Sequence, residues 1–155
     1  MTSGWGSAPW PSRLGDEEGS AVVEFLGVTL VLLVPLVYLV AVLGRVEAAA
    51  FAVEGAARDA ARAYVVADEE RAGDRATTAV AIALADQGFD DDAARSVAVA
   101  CSGDPCLTPG GDVTATVTVR VPLPFVPPLV RDVVPLEVPV TATRTAAVDA
   151  FREAP

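Results

Sequence analysis

From Phe25 to Leu43 the chain runs nineteen residues without a charge, nearly all of them Leu, Val or another apolar type. That length suffices for a membrane helix. Counted from Ala21, it makes about 35 Å of helix at roughly 1.5 Å per residue. One acid, Glu24, stands at the mouth of the run. A charge at mid-bilayer costs about 2.5–3.5 kcal/mol on insertion scales, which makes an intramembrane acid a functional suspect. The plainer alternative sets Glu24 at the helix end among the headgroups, where the cost is small.

The 155 residues suffice for one anchor and one small domain. There is no His and no Lys, so all 11 basic residues are Arg, set against 21 acids for a net charge of −10. That balance excludes nucleic acid or anionic headgroups as charge-driven partners and favours solubility of an exported part. Residues 1–19 are Gly/Pro/Ser-rich at first and then acidic, with Arg13 against Asp16, Glu17 and Glu18. They lack the basic start of a secretory signal, and the apolar run is too long for a signal core. Arginines near the run fall mostly on its C-terminal side: Arg45, Arg58 and Arg62 against Arg13 alone. Taken by itself, the positive-inside rule would put the C-terminal part in the cytoplasm.

Beyond Arg45 the chain reads as continuing helix. It is rich in Ala, the best helix former, and Glu54 and Arg58 form an i,i+4 pair in the favourable orientation. Val46, Ala49, Val53, Ala57, Ala60 and Tyr64 fall on one stripe at helical spacing. The charges and Gly73 of the stretch Asp68 to Asp74 predict a break. A second helix is predicted over Arg75 to Gln87, with Val80, Ala83, Leu84 and Ala79 inward and Gly88 as its stop. Asp90-Asp91-Asp92 lacks the spacing of a calcium loop and reads as a solvated turn or helix start.

The remainder alternates as strands do. Ser96 to Cys101 is one. Asp112 to Val121 sets Val113, Ala115, Val117, Val119 and Val121 against Thr114, Thr116, Thr118 and Arg120. In a third, Leu136, Val138, Val140 and Ala142 oppose Glu137, Thr141 and Thr143, and Pro139 marks it as an edge strand. The proline-rich stretch from Pro122 to Val130 reads as a loop strapped over the core, or else a partner surface. The tail from Ala146, with Phe151 its only large side chain, is expected to fray.

Cys101 and Cys106, with Gly, Asp and Pro between them, can close a tight disulfide loop of modest stabilising effect. Their alternative is a pair of free thiols in a reducing compartment, so a bridge favours export. Zinc would need two further ligands that a His-free chain supplies only as carboxylates. No metal, cofactor or small-molecule substrate is expected. Without His, a phosphate loop, a nucleophile elbow or a paired-carboxylate arrangement, no enzyme is expected either.

Gly19 precedes a bond whose cleavage would make Ser20 the amino terminus and Glu24 the fifth residue of the shortened chain. This resembles the processing site of type IV prepilins and pseudopilins. The stretch Glu54 to Ala63 resembles the Ala/Arg-rich segment of TadE-like proteins, small pseudopilins of tight-adherence (Flp-type) pilus systems. The resemblance runs from Gly19 to about Tyr64; the acidic leader and Pro35, which should kink or loosen the helix, depart from it. It implies a prepilin peptidase acting on the cytoplasmic side and partnership with other pilins or pseudopilins. It also implies a register role for Glu24, as counter-charge to the amine of a neighbouring subunit. Together with the cysteines, it sets the N-terminus inside and the C-terminal domain outside, against the arginine count.

The expected architecture is α+β. Residues 1–19 form a cleaved leader and 20–44 a single-pass membrane helix. Residues 45–155 form an exported domain of helix, second helix and small antiparallel sheet. The function expected is that of a minor pilin or pseudopilin in pilus assembly. The alternative is an uncleaved single-pass envelope protein whose domain binds a partner.

Overall fold

The computed structural model describes residues 17–123 and 136–152. The leader up to residue 16 and the strap from 124 to 135 lie outside the described residues. The chain divides into two compact units, Met1–Leu39 and Val40–Pro155.

Helix α1 spans Glu17–Val66, fifty residues assigned without interruption through Pro35. Lacking an N–H, Pro35 leaves the carbonyl of Val31 without its helical donor. From Ala21 to Val40 every side chain of α1 is exposed, among them Val23, Phe25, Val31 and Leu32. This is one helix long and apolar enough to cross a membrane, and its most apolar window is not buried at all.

From Ala49 onward α1 changes character. Ala49, Ala52, Val53, Ala56, Ala57, Ala60 and Ala61 are buried. The face is broader than the stripe predicted from spacing, because it joins one core cluster with both the second helix and the sheet. Alanine allows that approach on two sides, and interiors packed at crystal-like density leave no room for more.

Helix α2 spans Glu69–Asp86 and begins six residues before the sequence-based boundary. The acidic pair Glu69-Glu70 forms its first turn, where carboxylates meet the positive end of the helix dipole. Burial of Ala72 and Ala76 outweighs the cost of Gly73 within the helix. Val80 and Leu84 face inward as expected, and Ala83 is partly buried. Gly88, at φ 70°, ends the helix; its N–H bonds Ala85 O at 2.9 Å and that of Phe89 bonds Leu84 O at 3.0 Å. Asp92 then caps the single turn α3, Ala93–Ser96, accepting from Ala94 N at 3.1 Å. The acidic triplet is thus a turn and helix start.

Strands β1 (Val97–Cys101), β2 (Asp112–Pro122) and β3 (Glu137–Ala147) form an antiparallel sheet in the order β1-β2-β3. Val113, Ala115, Val117, Val119 and Val121 are all buried. On the opposite face, Thr114–Thr145, Thr116–Thr143 and Thr118–Thr141 pair through their hydroxyls at 2.9–3.0 Å. β3 runs four residues beyond the predicted pattern because β2 is equally long and pairs with all of it. Leu123 N donates to Leu136 O and Val148 N to Gly111 O. These bonds fix the parity: even-numbered residues of β3 turn their backbone groups to β2, odd ones to the open edge. Pro139 is odd, so its missing N–H costs the ladder nothing.

The described architecture is α+β: a long N-terminal apolar helix, a second helix and a three-stranded antiparallel sheet.

Candidate functional site

Gly19 and Ser20 lie in the first turn of α1. The leading N–H groups of a helix have no intrahelical acceptor, so this turn is the cheapest part of the helix to unwind. Glu24 follows one turn later as an exposed residue amid exposed Val22, Val23, Phe25 and Val28. Among the described residues it makes no hydrogen bond or ion pair within the chain. The arrangement is a carboxylate on an apolar helical surface, with no counter-charge beside it among the described residues.

The cysteines lie elsewhere. Cys101 ends β1, and it is joined in a disulfide to Cys106 with their Cα atoms 5.2 Å apart. The loop is closed further by Ser102 N to Asp112 O at 2.9 Å, Asp112 N to Ser102 Oγ at 2.8 Å and Gly111 N to Thr108 O at 3.0 Å. Leu107 is buried by this turn into a second core cluster with Ala67, Ala72, Val113 and Val148, against which both cysteines pack. The bridge therefore holds a hydrophobic plug in place.

Three arginines act in ways that local sequence spacing does not reveal. Arg45, the first charge beyond the apolar run, lies with its Cζ 4.4 Å from the Phe89 ring centroid. Its Nη2 donates to Gly88 O at 3.0 Å. It fastens α1 to the end of α2, where a cation also meets the negative pole of that helix. Arg152 donates to Val65 O and Ala67 O, each at 2.7 Å, and so satisfies carbonyls at the end of α1. The tail from Ala146, expected to fray, is instead tied down as far as Arg152 by buried Val148 and by these bonds, while Phe151 is 95% exposed.

Arg144 of β3 pairs with Glu54 of α1, which corrects the expected Glu54–Arg58 pair. Arg144 and Glu54 are 90 residues apart in sequence, beyond the reach of helical spacing rules. Both side chains are about half exposed, so a double-mutant cycle with Glu54→Gln and Arg144→Gln should give a coupling of only about 0.5–1 kcal/mol. It should shrink as salt is raised, and a salt-independent coupling would contradict a solvent-screened pair.

Open hollows mark the surface of the domain. One, of about 370 Å³, is lined by Arg45, Phe89, Asp90, Asp91, Arg120 and Glu137. Another, of about 530 Å³, runs between α1 and α2. No group of three or more His, Cys, Asp or Glu side chains among the described residues is placed to hold a metal ion. Compared with known proteins, the chain matches no family model, no curated protein and no solved structure.

Proposed function

We propose that this protein is a membrane-anchored minor pilin or pseudopilin that takes part in assembling a tight-adherence type pilus. The observation that carries the proposal is the junction Gly19-Ser20 with Glu24 at the mouth of an uncovered apolar helix. In this reading a prepilin peptidase cuts after Gly19, and the new amine of one subunit meets the Glu24 carboxylate of another as their helices associate. Both charges are costly alone in lipid and inexpensive together, so the pair fixes axial register. The exported domain, closed by the Cys101–Cys106 bridge, suits an oxidising compartment. We assign the chain no catalytic role.

The intact mass and N-terminal residue of the protein from native membranes test this directly. A chain beginning at Ser20 is expected. A chain retaining residues 1–19 would leave a permanent anchor, and the domain would then be a partner-binding module of the envelope. Glu24→Ala is expected to insert normally yet to lose co-purification with other pilins by about tenfold or more, the equivalent of roughly 1.4 kcal/mol or above. Undiminished co-purification would remove the register role.

A further inference from the structure

Phe51 stands on α1, eight residues past Leu43, and hence about 12 Å along the helix from the end of the apolar run. It is 75% exposed. A hollow lies on each flank of it. One is the α1/α2 groove of about 530 Å³, walled at one end by Phe51 itself and lined by Ala52, Gly55, Ala79, Ile82 and Ala83. The other, of about 510 Å³, is lined by Ala50, Glu54, Gly55 and Arg58 together with Phe51 itself. A Cβ placed on Gly55 would meet nothing within 4 Å, so the backbone there is open to an incoming side chain.

The two flanks carry opposite charge. Asp59 and Asp86 line the α1/α2 groove, which holds no cation. In the other hollow the cation is Arg58, while its carboxylate, Glu54, is already bonded to Arg144. Arg58, Asp59 and Asp86 are exposed and make no ion pair among the described residues. One surface of the chain therefore presents an aromatic knob beside a positive charge. The adjoining surface presents a small-residue groove edged by carboxylates.

We propose that the α1/α2 groove receives Phe51 of a second copy of this chain, with Arg58 of that copy meeting Asp59 and Asp86. The contact is head-to-tail: the knob surface of one copy fills the groove surface of the next. Only a parallel arrangement of the α1 helices lets two copies share one membrane, and in this respect the proposal rests on the anchored reading above. Burial of an exposed phenyl ring supplies the attraction, and the charges select the register and the partner.

The test uses the full chain in its native membrane, with a photo-crosslinking phenylalanine analogue at position 51. The expected product is a dimer of the chain crosslinked to Ala79, Ile82 or Ala83, identified by peptide mass. Gly55→Leu, which fills the groove where the fold has open space, should abolish it. Arg58→Glu alone, or Asp59→Arg with Asp86→Arg, should each lower the yield by about fivefold, the size of one surface ion pair. Co-expression of the photo-labelled Arg58→Glu chain with the Asp59→Arg/Asp86→Arg chain should restore it. Crosslinks only to a different protein, no crosslink, or no rescue would each overturn the proposal. A chain that retains residues 1–19 yet crosslinks through the groove would remove the pilin reading and leave this one standing. A chain that begins at Ser20 but does not crosslink would do the reverse.

Discussion

Leu84→Ala is expected to lower the unfolding free energy of the domain by about 3 kcal/mol. Leu84 is 1% exposed and is the largest fully buried residue contributed by α2. It lies in the cluster that joins α1, α2 and the inner face of β2. Truncation removes buried methyl groups and leaves a cavity that the alanine-rich surroundings are poorly able to fill. Ala57 and Ala60 have no longer side chain to extend into the space. The change is best read from amide exchange of β2 in detergent-solubilised protein, because the central strand exchanges through the largest openings. A loss below about 1 kcal/mol would mean that the layers collapse onto the gap, contrary to a core spaced by backbone contact.

The opposite substitution tests the same spacing from the other side. Ala57→Leu places three additional carbon atoms at a position with 0% exposure, in the cluster shared with Val117 and Val119. Overpacking of this kind costs about 1–3 kcal/mol and occasionally more. The upper end is expected here, because α1 is covered on two sides and cannot retreat from one without disturbing the other. Phe51→Ala on the same helix is expected to change stability by less than about 0.5 kcal/mol, as befits an exposed position. If Ala57→Leu proved equally silent, α1 would not be held as closely as its row of buried alanines requires.

The apolar run is legible in the sequence because its length and its lack of charge are both local properties. The burial of Val113, Ala115, Val117, Val119 and Val121 is legible because alternation puts every second side chain on one face, whatever the rest of the chain does. Pro139 marks an edge for an equally local reason, since a strand interior needs the donor it lacks. The Gly19/Glu24 junction can be read as a pattern too, although the pattern alone names no partner for the carboxylate.

Other features depended on which elements meet. The start of α2 moved from Arg75 to Glu69 because Ala72 and Ala76 found a core to enter, a gain that propensity does not count. Glu54 turned from its helical neighbour Arg58 to Arg144, and Arg152 capped α1 from the far end of the chain. Leu107 and Val148 became core residues only because the disulfide loop and the tail fold onto Ala67 and Ala72.

The long apolar helix, the strand faces and the helical segments follow from local sequence, because periodicity and apolar length act within a few residues of one another. Only the packed fold decided which charges pair, where α2 begins and β3 ends, and that Phe51 stands exposed between two oppositely charged hollows. Those outcomes turn on contacts between residues far apart in the chain, and no local pattern encodes the distance between elements once they are packed.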